Sequence, residues 1–190
     1  MWKFVKSGND YDSFLKHNEN EICFWGRSNV GKSTLINSLT DQKISRVSKT
    51  PGRTRLINYF EDNNHKIMVD LPGYGYANMS KDAKEKMFQT TIKYINQAEK
   101  LQDIFILIDS RIGITKIDLE IIDLIIQMNK TFSLIYTKID KLNQSEKSKI
   151  AKDIQKYQFK NLNNLFYISS LTRFGFDKLI LYITKLLYNK

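Results

Sequence analysis

The strongest constraint on this chain is the run Gly26-Arg27-Ser28-Asn29-Val30-Gly31-Lys32-Ser33. It follows EICFWG, a compact apolar segment that reads as a buried strand, and precedes KSTLINSL, whose apolar residues recur at helical spacing. Strand, glycine-rich loop and helix in that order make the pattern GxxxxGK[ST] a phosphate-binding loop rather than a simple turn. Its glycines let backbone N–H groups wrap a β-phosphate, and the helix start adds the positive end of its dipole. Lys32 then places a point charge on the β- and γ-phosphates, and the Ser33 hydroxyl is a ligand for Mg²⁺.

The remaining pattern extends that unit into an α/β fold. LINYFE and HKIMVD read as two strands joined at Asp62-Asn63-Asn64, a hairpin. Ser80 can cap a helix over 81–100, with Ala83, Met87, Thr91 and Tyr94 along one side. DIFILID, TFSLIYT and LFYIS then read as strands alternating with helices over 117–128, 145–156 and 176–187. Uniformly apolar strands separated by helices predict a mostly parallel sheet with helices on both faces, with LINYFE as its antiparallel strand. Ligands of such sheets bind beyond the strands' C-terminal ends. With few Pro or Gly outside three short clusters, the 190 residues read as one domain without a linker.

Three further segments fall where that geometry needs chemistry. Asp70-Leu71-Pro72-Gly73 closes a strand, so Asp70 can hold a Mg²⁺-bound water while the Gly73 N–H faces a γ-phosphate. Thr137-Lys138-Ile139-Asp140 follows another strand. An Asp there can accept two hydrogen bonds from guanine, a pair that adenine cannot offer, so Asp140 would select GTP over ATP, with the Lys138 stem along the base. Ser169-Ser170-Leu171 could present backbone N–H groups to guanine O6. Lys49-Thr50-Pro51-Gly52-Arg53-Thr54-Arg55 lies where a second hydroxyl ligand for Mg²⁺ is needed; Thr54 is the choice and Thr50 the competitor. A loop held through that ligand is the two-state element of a switch.

Charge points to the partner. Thirty Lys and Arg against 20 Asp and Glu give a formal net charge of +10, which favours a polyanion such as nucleic acid. Lys43, Arg46, Lys49, Arg53 and Arg55 cluster in one region, and Lys147, Lys149, Lys152, Lys156 and Lys160 in another, either solvated faces or surfaces for a nucleic acid. A single cysteine, Cys23, fits a reducing compartment. The N-terminal residues carry neither a secretion signal nor a transit pattern, and no apolar run reaches the roughly 20 residues of a membrane span. These features predict a cytoplasmic protein that does not insert in membranes. His17, His65, Cys23 and Trp25 lack metal-ligand spacing and read as structural, while Asp118, Glu120 and Asp123 are assigned to the wet face of a helix.

GRSNVGKSTLINSL, TPGRTRLINYF, DLPGYGYA, TKIDK and SSLTRFG together resemble, in order and spacing, the EngB family of bacterial GTPases, within the TrmE-Era-EngA-EngB group. The resemblance implies a three-layer Ras-like P-loop GTPase fold, a six-stranded mostly parallel sheet with one antiparallel strand and five helices. It also implies Mg²⁺-dependent binding of GTP and GDP, slow hydrolysis, a role in large (50S) ribosomal subunit assembly, which makes rRNA the nucleic acid expected at the two basic clusters, and a link to cell division and septation. The nucleotide positions it implies are Gly26 to Ser33, Gly52, Arg53, Thr54, Arg55 and Leu56, Asp70, Leu71, Pro72 and Gly73, Thr137, Lys138, Ile139 and Asp140, and Ile168, Ser169 and Ser170. Lys32, Thr54 and Asn29 would serve catalysis, and Ser33 and Thr54 would bind the metal directly.

One departure concerns rate. Ras-type GTPases place a Gln after their DxxG motif to orient the attacking water, whereas Gly73 is followed here by Tyr74, which cannot do so. Unaided hydrolysis should therefore be slow. Asn29 sits where potassium-activated relatives place an Asn beside a K⁺, so K⁺ is a candidate cofactor, with plain loop hydrogen bonding as the alternative. Two other functions stay open on sequence: a basic module that binds RNA or a partner constitutively around a structural nucleotide, and a division-site adaptor independent of ribosomes. Nothing in the pattern suggests an obligate dimer, so a monomer is expected.

Overall fold

The computed structural model describes residues 1–45, 56–75 and 79–189. Its strands are β1 (Lys3–Gly8), β2 (Glu21–Gly26), β3 (Ile57–Glu61), β4 (Ile67–Asp70), β5 (Leu101–Asp109), β6 (Phe132–Thr137) and β7 (Leu162–Tyr167). The α-helices are α1 (Lys32–Thr40), α2 (Lys81–Gln97), α3 (Lys116–Gln127), α4 (Gln144–Gln155) and α5 (Phe176–Tyr188). Among the described residues the strands form one sheet in the order β1-β3-β4-β2-β5-β6-β7. β2 pairs in parallel with β4 and β5, and β5, β6 and β7 continue in parallel. β3 pairs antiparallel with both β1 and β4, so it alone runs against the rest.

The fold is thus the expected three-layer α/β architecture, with one correction: the sheet has seven strands rather than six. The extra strand, β1, is KFVKSG at the sheet edge. Its Phe4 and Val5 are exposed, so it carries no buried alternation for a sequence reading to detect. β7 also begins at Leu162, earlier than its apolar run, because Asn163 and Asn164 are exposed on the opposite edge strand.

Alternation within the apolar strands divides the core between the two faces of the sheet. Cys23 and Trp25 of β2 join Ile104, Ile106 and Ile108 of β5 beneath Tyr94 and Ile95 of α2 and Ile121, Ile122 and Ile125 of α3. Ile22 and Phe24, with Phe105 and Leu107, face α1 and α5 through Leu35, Ile36, Leu179 and Leu187. Both faces are covered, which is why these strands read as continuous hydrophobic runs. Cys23 is buried and unpaired, and burial pushes its thiol well above the usual range. Because α1 follows β2 onto one face and α2 returns to β5 from the other, the sheet's winding reverses at the C-terminal end of β2, where α/β sheets open their ligand crevices.

Candidate functional site

At that end of β2 lies the glycine-rich loop. Gly26 allows a close approach, since a Cβ there would stand 3.0 Å from both Leu107 Cβ and Val30 Cγ1. Asn29 and Gly31 both adopt left-handed backbone, with φ of 62° and 106°. Asn tolerates that region and Gly has no penalty in it, and backbone of this kind forms the concave nests of N–H groups that bind anions. Gly31 is the N-cap of α1, so Lys32 and Ser33 open the helix at its positive end.

Lys32 is 7% exposed, and its Nζ donates to Asp70 Oδ1 at the end of β4. The other oxygen of Asp70 accepts from the Ser45 hydroxyl at 3.1 Å. An ammonium, the Ser45 hydroxyl and one buried carboxylate therefore meet in one corner, beside the helix start that carries Ser33. Among the described residues there is no cluster of three or more His, Cys, Asp and Glu that could cage a metal. A divalent cation fitted here would take most of its ligands from phosphate and water, which is the mode in which Mg²⁺ is held.

The strands β6 and β7 supply the opposite wall. The Thr137 hydroxyl donates to Val30 O at 2.7 Å, tying β6 to the phosphate loop. Lys138 has left-handed backbone, and its Nζ donates to Asn29 O at 2.8 Å and to Asp109 Oδ2 at 2.7 Å. Its stem passes 3.8 Å from the position of a Gly31 Cβ. Asp109, at the end of β5, also pairs with Arg111; burial alone would raise its carboxyl, but hydrogen bonds from Arg111 and Lys138 hold it at about 2. Ile139 N donates to Ile168 O at 3.1 Å, joining the segments that follow β6 and β7.

Asp140 is positioned by Ser169, whose hydroxyl donates to Oδ1 at 2.6 Å and holds the carboxyl below the ordinary carboxylate range. Ser169 itself departs from its expected part. Its N–H donates to Phe174 O at 3.1 Å and is therefore engaged within the protein rather than offered to a base. The loop is pinned by Gly175, with φ 77°, where a Cβ would come within 2.1 Å of Tyr167 O.

The segment after β4 lies along the phosphate loop. Leu71 N donates to Phe24 O, Tyr74 N to Gly26 O and Ser28 N to Tyr74 O, at 3.0, 3.2 and 3.1 Å. Trp25 Nε1 donates to Pro72 O at 2.8 Å, confirming a structural tryptophan, and its ring meets Tyr74 edge-on at 5.5 Å. Tyr74 is 5% exposed and its hydroxyl donates to Asp118 Oδ1 at 2.8 Å.

Asp118 corrects an expectation: it is fully buried rather than on the wet face of its helix, while Glu120 and Asp123 are exposed as expected. Its Oδ2 accepts from Thr115 N and Thr115 Oγ1 at 2.8 and 2.6 Å, a capping box at the start of α3. Arg27 Nε approaches the same oxygen at 3.2 Å as an ion pair, and Arg27 Nη2 donates to Gly113 O at 3.4 Å. Arg27 therefore turns its guanidinium toward α3. The pattern Thr-x-x-Asp was a local signal for this cap; the partners from Arg27 and Tyr74 had none.

Gly52, Arg53, Thr54 and Arg55, the competitor Thr50, and the basic residues Arg46 and Lys49 lie outside the described residues. Leu56 is described and exposed at their border. Of the second basic group, Lys149, Lys152, Lys156 and Lys160 are exposed. Ser45 and Asp109 were not singled out by sequence, since neither falls within a recognisable motif.

Comparison with known proteins agrees with this geometry. The family described as "50S ribosome-binding GTPase" matches residues 21–138. A probable GTP-binding protein EngB of Mycoplasmopsis agalactiae is 49% identical, with all of both chains covered, and one of Mycoplasmopsis synoviae is 50% identical over 94% of this chain and 96% of its own. The chain belongs to the EngB family of GTP-binding proteins. A crystal structure of a probable GTP-binding protein EngB superposes with a TM-score of 0.70 at 25% identity, covering 90% of this chain and all of that one. Era of Aquifex aeolicus, solved with GDP·AlF4⁻, gives a TM-score of 0.73 at 28% identity over 90% of this chain and 57% of Era. An Era structure with MgGDPNP and a 16S ribosomal RNA fragment gives 0.72 at 26% identity over 92% of this chain and 59% of that chain. As an EngB-family protein, this chain is a nucleotide-binding GTPase, a family that binds GTP and GDP, typically with Mg²⁺. Among the described residues no helix is long and apolar enough to cross a membrane.

Proposed function

We propose that this chain is a single, monomeric G domain that binds GTP and GDP with Mg²⁺, hydrolyses GTP slowly, and works in the cytoplasm as a switch in large ribosomal subunit assembly, with normal division and septation depending on that role. The observation that carries the nucleotide reading is the Asp140 carboxylate, held by the Ser169 hydroxyl at 2.6 Å on the wall that Lys138 ties to the phosphate loop. An acceptor fixed in that way matches the paired N–H donors of guanine and leaves adenine unmatched.

In this reading the phosphate loop, residues 26–33, cradles the phosphates through the N–H groups of Asn29, Gly31, Lys32 and Ser33, since those of Ser28 and Val30 are bonded to Tyr74 O and Arg27 O, and Lys32 balances the phosphates' charge. Ser33 and Thr54 hold the cation directly, and Asp70 holds it through water. When bound, Mg²⁺ neutralises charge on the β- and γ-oxygens. Lys32 and Asp70 must separate for each to take its part. Leu71, Pro72 and Gly73 carry the γ-phosphate sensor, and Gly52 to Leu56 the second switch. Ile139 and Ser170 complete the base pocket, with Ile168 fully buried behind them. Tyr74, turned inward onto Asp118, supplies no group to orient water, which supports a low intrinsic rate. Asn29, with its left-handed backbone at the loop's rim, is the residue that would hold K⁺.

The ribosomal partner is supported by the family's description, by the net charge of +10 and by the exposed lysines that follow β6. Titration of GTP, GDP, ATP and xanthosine triphosphate against the native protein and Asp140→Asn tests the nucleotide reading. Preference should move from guanine toward xanthine in the variant; absence of guanine-nucleotide binding by the folded native protein would overturn it. Co-sedimentation with the large subunit under GTP but not GDP tests the ribosomal role.

A further inference from the structure

We infer that Tyr74, Asp118 and Arg27 form a latch that holds the turn after β4 against the phosphate loop and biases the protein toward GDP. The inference rests on the nucleotide reading above and extends it to the regulation of the same site.

Asp118 is a fully buried carboxylate reached from three parts of the chain: Arg27 of the phosphate loop, Tyr74 of the turn that follows Gly73, and Thr115 of the α3 cap. Burial of a charge is tolerated only where donors surround it, so the arrangement of these segments is coupled. Thr115 belongs to the same helix start as Asp118 and cannot move far from it. Tyr74 belongs to a separate segment, between β4 and α2. The Tyr74 hydroxyl is the one contact of the three that joins Asp118 to the segment expected to sense a γ-phosphate. Burial, followed by the Asp118 charge, pushes that phenol well above its usual range, so it stays a donor at all ordinary pH.

The same turn is zipped along the phosphate loop by Tyr74 N to Gly26 O and Ser28 N to Tyr74 O, a parallel bridge between Arg27 and Tyr74. In this arrangement Asp70, four residues before Tyr74, is bonded to Lys32 and Ser45. Lys32 also serves the β-phosphate that GTP and GDP share, so this pair must open for either nucleotide and does not distinguish them. What distinguishes them is the γ-phosphate: a triphosphate that draws the Gly73 N–H pulls on the residue next to Tyr74, against the latch. Tyr74 and Asp118 are positioning residues: they touch neither nucleotide nor cation, and they set the free energy of the change between states.

The test is Tyr74→Phe, which keeps the ring against Trp25 and removes one hydrogen bond to a buried charge. The first measurement is the ratio of GTP to GDP affinity, which should rise about tenfold in the variant, the order expected for such a bond. A ratio within twofold of native alongside a lowered melting temperature would make the contact merely structural, and a shift toward GDP would assign the latch to the opposite state; either overturns the inference. The second measurement is amide hydrogen exchange of the nucleotide-free protein. Exchange at Ser28 and Tyr74 should quicken about tenfold in the variant while core amides of β5 do not change; equal exchange in both proteins would refute the latch. Native protein that binds no guanine nucleotide would sink the proposed function, and the exchange experiment would still decide whether the latch exists.

Discussion

Replacing Asp103 with asparagine should stabilise the protein above pH 7 and leave it almost unchanged near pH 4. Asp103 lies near the start of β5, at the end of the sheet away from the phosphate loop, and is 1% exposed. Its carboxylate accepts from Ser133 Oγ at 2.5 Å, Tyr182 Oη at 3.2 Å and Asn163 Nδ2 at 3.3 Å. Burial outweighs those three bonds and raises the carboxyl from 3.8 to about 6. The folded protein therefore binds this proton more tightly than the unfolded chain. The resulting stability is fully present below about pH 4 and is lost as pH rises through about 6. The separation of about two pK units corresponds to a loss of about 3 kcal/mol. An amide is neutral throughout and close in shape to the protonated acid, so Asp103→Asn avoids that loss. Urea denaturation at pH 4.5, 6 and 8 should show the variant gaining on the native protein with pH, reaching about 3 kcal/mol, or roughly 6–12 °C in melting temperature for a domain of this size. A difference that stays constant across the series, or that favours the native protein at pH 8, would refute the argument that burial governs this carboxyl.

Three other outcomes follow from the site. Gly175→Ala places a Cβ against Tyr167 O on left-handed backbone and should cost at least about 2 kcal/mol, read as a lower melting temperature. Lys138→Met removes one of the two side-chain donors that hold Asp109 at about 2, so that carboxyl should rise by at least about one unit in an NMR titration, and guanine-nucleotide affinity should fall with it. GTP turnover should be faster in K⁺ than in Na⁺ if Asn29 helps to hold a monovalent cation; equal turnover in the two salts removes that role.

How far the sequence revealed this molecule depends on the range over which each signal acts. The phosphate loop was legible because its chemistry is contiguous: eight residues carry the turn, the charge and the helix start together. The parallel core was legible because both faces of β2, β5 and β6 are covered, leaving apolar runs with nothing polar to confuse them. β1 was not, since an edge strand with exposed Phe4 and Val5 looks like any polar terminus. Asp118 was misjudged because helical periodicity sees only neighbours on its own helix, whereas its burial is decided by Arg27 and Tyr74, both distant in sequence. The same limit hid Ser45 and Asp109, whose partners Asp70 and Lys138 are distant in sequence. Ser169 was noticed for its backbone, yet its hydroxyl is what orients Asp140.

The inaccessible thiol of Cys23 has a practical consequence. Sulfhydryl reagents react with thiolate, and a thiol on β2 sealed beneath α2 and α3 and kept protonated offers them none. Cysteines engineered on the surface can therefore take maleimide dyes in an otherwise native background, so distances between the phosphate loop and α2 become measurable by energy transfer without first mutating the core.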